Sequence, residues 1–191
     1  MIINEKGLVK ALKSAYKRGG YTISNDGQNV ALYTEGWYLR AAWDKFPRKA
    51  LATIVEHMGT LPAAEALVIM DGYDPQVAIP EVVGDDIAKW IAGEPDKRAK
   101  IVPVTVGVLQ LFQTEARECY GIKPLALGIL ERDVAEHAEA AVLGEGRLTW
   151  TCEGEAVVVE AFQPTAAYWA TDGEKAVWAA LEAVELNIGE E

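Results

Sequence analysis

The segment that constrains the fold most is residues 21–43, YTISNDGQNVALYTEGWYLRAAW, because it alternates strand-forming runs with a tight-turn signal. The tripeptide NDG near its centre combines three residue types that tolerate positive φ, as short hairpin turns require. Residues 21–24 and 29–34 are therefore predicted to pair as antiparallel strands. After a second turn, residues 37–43 alternate between two faces and predict a third strand.

A helix is predicted on each side of these three strands. Residues 4–18 place apolar side chains at the spacing of one helical face, and Asn4 can cap the first turn. Asp44 is the predicted N-cap of a second helix, which ends at Gly59. The predicted order is thus helix, three strands, helix.

The turn pattern occurs twice in the chain. TISNDGQNV at residues 22–30 and TWTCEGEAV at residues 149–157 share an acid-glycine pair with a valine three residues after the glycine. Two αβββα pseudo-repeats are therefore possible, at residues 4–59 and 132–187, around a β-rich connecting segment at residues 60–131. The alternative is that two unrelated hairpins use the same turn chemistry.

Other segments carry weaker local signals. A loop is predicted at residues 93–100, where Gly, Pro and charged residues cluster. The leucine-rich residues 125–130 are predicted to form a buried strand. Asp133 with Glu136 resembles a capping box and predicts a helix to about Leu143. In the same unit we expect a third strand at 166–170, followed by a helix capped by Asp172.

Length and composition favour one α+β domain with a mainly antiparallel sheet. The chain has 191 residues, of which 50% are hydrophobic and 25% are charged, an ordinary globular mixture. Its two cysteines are too few for a disulfide framework. The longest apolar run, residues 101–112, is too short to span a bilayer, and the first residues do not resemble a secretory signal. We therefore expect a soluble cytoplasmic protein.

Charge is unevenly distributed along this acidic chain. The net charge is −11, yet residues 1–50 carry nine basic and four acidic residues, whereas residues 131–191 carry three and fourteen. An acidic chain is repelled by phosphate backbones, so general nucleic-acid binding is not expected. The predicted first helix carries a basic stripe, which is a candidate interaction surface for an acidic partner, a second copy in a homodimer, or the acidic part of the same chain. The stripe consists of Lys6, Lys10, Lys13 and Lys17.

Few residues are available for catalysis. The chain has two histidines, and His57 is explained by a favourable position in the last turn of a helix. Cys119 is the more plausible nucleophile, because Arg117 is near in sequence and His137 is a possible base. No phosphate loop, dinucleotide fingerprint or nucleophile elbow is present. We expect neither a metal nor a cofactor.

Tryptophan and one arginine are the candidate binding residues. There are six tryptophans, and an open face lined by Trp37 and Trp43 would suit an aromatic, sugar or peptide ligand. Arg40 lies on the opposite face of the same predicted strand, where it can meet an acid. Together with Cys119 and His137, these residues form the candidate site of a non-enzymatic binding or protein-interaction module. The alternative is an enzyme that uses Cys119 or a carboxylate cluster.

The hairpin prediction is testable at Gly27. If this glycine adopts positive φ, Gly27→Ala is expected to lower the free energy of unfolding by about 1 kcal/mol, because a side chain with a β-carbon is strained there. The change can be measured from chemical denaturation curves of the two proteins. An unchanged midpoint would contradict the hairpin.

Overall fold

The hairpins of the described residues assemble into one antiparallel sheet of eleven strands. The computed structural model describes residues 1–62, 66–78, 97–144, 146–164 and 170–186. The strands are β1 (Tyr21–Asn25), β2 (Asn29–Tyr33), β3 (Trp37–Ala42), β4 (Ala66–Ile69), β5 (Gln76–Val77), β6 (Arg98–Val106), β7 (Leu109–Thr114), β8 (Cys119–Ile122), β9 (Ala140–Leu143), β10 (Arg147–Cys152) and β11 (Glu155–Glu160). Their order across the sheet is β5-β4-β1-β2-β3-β11-β10-β9-β6-β7-β8.

Five helices in these residues accompany the sheet, which confirms the predicted α+β class with a mainly antiparallel sheet. Asn4 caps the first helix as predicted, since its side chain accepts a hydrogen bond from the Gly7 N–H. The helices are α1 (Glu5–Arg18), α2 (Arg48–Met58), α3 (Pro124–Leu127), α4 (Arg132–His137) and α5 (Asp172–Glu182).

Two three-stranded meanders form the centre of the sheet. Strands β1–β2–β3 and β9–β10–β11 each run antiparallel, and β3 pairs with β11 to join them. The first hairpin turn is the predicted one, and Gly27 has φ +84°. Hairpin geometry therefore follows the local sequence closely here.

The two similar sequences do not form the same turn. In the first hairpin Asn25 pairs with Val30, whereas in the second Cys152 pairs with Glu155 across a two-residue loop. The first turn joins the first two strands of its meander, but the second joins the last two. The repeated stretch therefore does not support a duplication, although both segments contain helix, three strands and helix in that order; the pseudo-repeat remains a hypothesis.

The far end of the sheet bends back towards its centre. Gly121 on β8 exchanges two backbone hydrogen bonds with Phe162, which follows β11, at 2.9 and 2.7 Å. The outer edge of β8 is thus paired at this point, and the chain after β8 is brought close to the end of β11. Edge pairing of this kind satisfies backbone groups that would otherwise face water.

One large apolar core lies between the helices and the inner face of this curved sheet. Leu8, Ala11 and Leu12 of α1 are fully buried in it. Phe112 of β7 and Trp150 of β10 meet edge to face there, with ring centroids 5.7 Å apart. Both meanders and β6–β8 therefore share one core, which explains why the sheet must curve.

The N-terminal segment crosses this core. Ile3 forms a bridge with Leu130, and the Asn4 N–H donates to the Ile129 carbonyl at 2.7 Å. The Ile2 N–H donates to the buried Glu155 carboxylate at 2.9 Å. These contacts fix where α1 begins and hold it against α3.

A smaller core on the outer face of β6–β8 holds α5. Trp178 is its buried anchor, and its indole N–H donates to the Cys119 carbonyl at 2.9 Å. The Gln113 amide donates to the Val184 carbonyl and accepts from the Leu186 N–H, at 2.9 and 2.8 Å. The glutamine amide carries both a donor group and an acceptor group, and it thus pairs with the backbone that follows α5.

Several local predictions were wrong, because tertiary contacts outweighed local pattern. The helix predicted from Asp133 to Leu143 ends at His137, and Ala140–Leu143 forms β9 instead. The run at 125–130, predicted as a strand, begins with helix α3, since Pro124 starts a helical turn.

Predicted caps and loops also shifted. Arg98–Lys100 belong to β6 and not to a loop. Pro47 and Thr171, not Asp44 and Asp172, are the N-caps of α2 and α5. The predicted strand at 166–170 lies almost wholly outside the described residues.

Gly7 is the position at which α1 depends most on glycine. A β-carbon there would lie 1.6 Å from the Gly128 carbonyl oxygen. Gly7→Ala is therefore expected to lower the free energy of unfolding by about 2 kcal/mol or more. This loss exceeds the gain of about 1 kcal/mol that alanine has over glycine in helix propensity. Chemical denaturation measures the change.

Gly19→Ala is the matched control for this substitution. Gly19 is extended at φ 177°, and its β-carbon would meet nothing within 4 Å. We expect a change of at most about 0.5 kcal/mol there. Equal effects at the two positions would show that the contact between α1 and α3 is not tight.

Candidate functional site

The structure separates the predicted binding residues. Trp37 faces the main core and is 6% exposed, whereas Arg40 is half-buried on the opposite face of β3, as predicted. Trp43 lies just beyond the strand and is 40% exposed. Because Trp37 and Trp43 do not form one open aromatic face, each neighbourhood has to be considered separately.

A cavity of about 440 Å³ lies beside Trp37 and is called here the Trp37 cavity. Its walls come from the C-terminal half of α1, the β2–β3 turn, the start of α3 and the end of β11. The residues that line it are Ala11, Ser14, Ala15, Arg18, Gly19, Gly20, Thr34, Glu35, Gly36, Trp37, Lys123, Leu125, Ala126 and Glu160. Sequence reasoning found Trp37 alone, since the other walls are brought together only by folding.

A second cavity, of about 420 Å³, lies beside Arg40 on the other face. The cross-strand neighbours of Arg40 are Ala31 and Ala156, whose side chains are small. Asp26 is the nearby acid: its pKa is lowered chiefly by the backbone N–H groups of Asn29 and Gln28, and also by the charge of Arg40. The field of Asp26 therefore already offsets part of the positive charge in this cavity.

The predicted basic stripe forms a continuous exposed surface on α1. Lys6, Lys10, Lys13 and Lys17 are all exposed, and none of them forms an ion pair in the part of the chain that the structure describes. We call these four side chains the lysine face. Other basic residues do pair with carboxylates, at 2.7–3.9 Å: Lys45, Lys49, Lys97, Lys100, Arg117 and Arg132.

Cys119 is poorly suited to act as a nucleophile. Its side chain is fully buried, and burial raises the pKa of the thiol to about 11, with the Glu182 charge adding to the effect and the Gln113 hydrogen bond opposing it. Arg117, expected to lower this pKa, instead directs its guanidinium to the Ala183 carbonyl and to Glu185. A thiol with a raised pKa is protonated at neutral pH and therefore weakly reactive.

The two histidines have different surroundings. His137 is exposed on α4, and no hydrogen bond joins it to Cys119 within the described residues. His57 stacks on Tyr16 at 4.0 Å, and its Nδ1 lies 3.0 Å from the Tyr21 hydroxyl. Burial lowers the pKa of His57, so its neutral form is favoured. The structure thus gives His57 a packing role between α1 and α2, in place of the predicted helix-end cation.

Carboxylates do not converge on a metal site in the residues given above. No group of three or more His, Cys, Asp or Glu side chains is close enough to hold an ion there. Asp71 and Asp74 are exposed on the β4–β5 hairpin, and Asp85 lies outside the described residues. The absence of a metal or cofactor remains an expectation from the sequence.

Comparison with known proteins gives no match: no family model matches the chain, and no curated protein or solved structure is significantly similar to it. Among the described helices, none is both long and apolar enough to cross a membrane. What this chain binds must therefore be inferred from its own geometry.

The two cysteines are expected to differ sharply in reactivity. Cys152 is exposed, whereas Cys119 is buried and, with a pKa of about 11, is only about one part in ten thousand thiolate at pH 7. A colorimetric disulfide reagent should therefore rapidly modify one thiol in each native chain. In the native Cys152→Ser variant it should modify no thiol rapidly. Both thiols should react after unfolding. Rapid modification of native Cys152→Ser would restore Cys119 as a candidate nucleophile.

Proposed function

We propose that the protein is a non-enzymatic interaction module that docks through its lysine face onto an acidic protein surface. The observation that supports this function is the set of four exposed lysines on α1 that form no ion pair with any described residue, in a chain of net charge −11. A second copy of the chain is one candidate partner, since residues 131–191 are strongly acidic.

The lysine face is unfavourable for the isolated helix. Lys6 and Lys10, and likewise Lys13 and Lys17, are separated by four positions on α1. Like charges at this spacing destabilise a helix by about 0.2–0.5 kcal/mol per pair. A surface that places such pairs side by side, with no ion pair to a described residue, is better explained by a partner that neutralises them than by the stability of the helix.

Apolar burial cannot contribute much to this docking. Leu8 and Leu12, two large apolar side chains of α1, are fully buried in the chain's own core and are not available to a partner. Exposed ion pairs contribute about 0–1 kcal/mol each, so an interaction made by the lysine face is weak and rapidly formed. Long-range attraction would mainly speed and orient the encounter.

An enzyme that uses Cys119 is the less supported alternative. The thiol is buried and protonated at neutral pH, and His137 is exposed elsewhere on the surface. A nucleophile needs a base or a cation that lowers its pKa, and the described residues place neither against the Cys119 thiol. The carboxylate alternative has no converging set among the residues whose positions are described.

The proposal is tested by changing all four lysines to glutamine. Sedimentation velocity at low salt and at about 1 M salt reports self-association. Self-association should weaken at about 1 M salt, because screening there shortens the reach of exposed charges to about 3 Å. A polyglutamate peptide serves as the acidic probe, and we expect it to shift the α1 amide signals in a nitrogen–proton correlation spectrum. The lysine variant should lose both responses.

A control variant removes the same charge elsewhere. Lys45, Lys97, Lys100 and Arg132 are each paired with a carboxylate, so changing them to glutamine lowers the net charge equally and leaves the lysine face intact. This control should bind the probe as the unchanged protein does. The proposal fails if the chain stays monomeric and α1 does not respond to polyglutamate, or if both variants respond alike.

A further inference from the structure

The indole group of Trp37 differs from those of Trp150 and Trp178, the other buried tryptophans that the structure describes. The N–H of Trp178 donates to the Cys119 carbonyl at 2.9 Å, and the N–H of Trp150 donates to the Ala138 carbonyl at 3.4 Å. The N–H of Trp37 has no acceptor in the described part of the chain. Buried indole groups ordinarily find a hydrogen-bond partner, so this donor is open to an acceptor from outside the protein.

Trp37 is not sealed away from solvent. Among the described residues, the one buried side-chain nitrogen or oxygen that has neither solvent contact nor a partner is Oε1 of Glu155. The indole N–H therefore remains reachable, although Trp37 as a whole is 6% exposed. Trp37 lines the Trp37 cavity, so a ligand bound there lies next to its side chain.

The walls of the Trp37 cavity combine short apolar side chains with polar and charged ones. Its apolar part includes Ala15 of α1 and Leu125 and Ala126 of α3. Its volume of about 440 Å³ falls within the range of about 300–1,000 Å³ that is usual for small-molecule sites. Short side chains leave room for the apolar body of a ligand, and the Trp37 ring provides a flat surface for it.

The charged residues at the cavity determine the sign of the ligand. Arg18 and Lys123 are exposed there and form no ion pair with a described residue, and the same is true of Glu35. Glu160 lies opposite Arg147 in the β10–β11 register, so the positive charge of Arg147 offsets its negative charge. Two cations thus face one uncommitted carboxylate, and the excess positive charge favours a singly charged anion.

We propose that the Trp37 cavity binds a small organic monocarboxylate with an apolar body. The apolar part lies against the alanines and the indole ring, and a ligand oxygen accepts the Trp37 N–H. The carboxylate faces Arg18 and Lys123, whose charges attract it. This site is distinct from the lysine face and does not depend on it, because it rests on the cavity and the unpaired indole N–H.

The test uses 3-phenylpropionate and two matched probes, its neutral amide and the corresponding amine. Nitrogen–proton correlation spectra of the full chain report the indole signals, and Trp37→Phe assigns the Trp37 signal. We expect 3-phenylpropionate to shift the Trp37 indole signal saturably at millimolar concentrations and to leave the Trp150 and Trp178 signals unchanged. It should bind about tenfold more tightly than the amide, whereas the amine should bind least.

Substitutions locate the site. Arg18→Gln combined with Lys123→Gln should weaken 3-phenylpropionate about tenfold and leave the amide unaffected. Arg48→Gln is the matched control, because Arg48 is an exposed cation on α2 that does not line the cavity. Ser14→Trp fills the cavity from a half-buried position and should abolish binding of all three probes. Melting curves confirm that each variant is folded.

Three results would overturn the proposal. The first is no saturable shift of the Trp37 indole signal with 3-phenylpropionate. The second is undiminished binding to folded Ser14→Trp, which would place the ligand elsewhere. The third is that the amine or the amide binds as tightly as the acid, or that Arg48→Gln loses as much affinity for 3-phenylpropionate as the Arg18 and Lys123 variant. Either outcome would show that the charges at the cavity do not select a carboxylate.

Discussion

The close backbone contact between α1 and the end of α3 is the constraint on which the rest of the structure depends. Gly7 leaves no space for a β-carbon against the Gly128 carbonyl, and the neighbouring segments are joined by the hydrogen bond from Asn4 to Ile129. The Asn4 side chain both caps α1 and donates to Glu131. Because these contacts are short and directional, the first helix has one position relative to the middle of the chain.

That position and the curvature of the sheet together create the Trp37 cavity. The bridge between Gly121 and Phe162 brings the chain after β8 to the end of β11, so Lys123 and α3 lie opposite the C-terminal half of α1. The cavity is thus built from three parts of the chain that are distant in sequence. Its small wall residues follow from the same tight packing, since alanine and glycine permit close approach of backbones.

The groups that resembled catalytic residues in the sequence serve packing in the fold. Cys119 lies beneath α5, where the Trp178 indole donates to its carbonyl and the Gln113 amide donates to its sulfur. His57 lies between the rings of Tyr16 and Tyr21. Burial acts on each in the direction that removes charge, since a charged group loses hydration in an apolar setting. Among the described residues, charges without an ion pair include the lysine face and, at the Trp37 cavity, Arg18 and Lys123, and the two proposed binding roles rest on these charges.

The sequence by itself determined the first meander, the Asn4 cap, the positive φ of Gly27 and the exposed lysine face, because turn chemistry and helical periodicity act over a few residues. It did not determine that residues 140–143 form β9 or that residues 124–127 form a helix, since both depend on neighbours far along the chain. Nor did it associate Trp37 with Arg18 and Lys123. Only the tertiary structure decided that these three residues line one cavity. The curvature of the sheet and the Gly7–Gly128 contact bring together side chains that are far apart in the sequence.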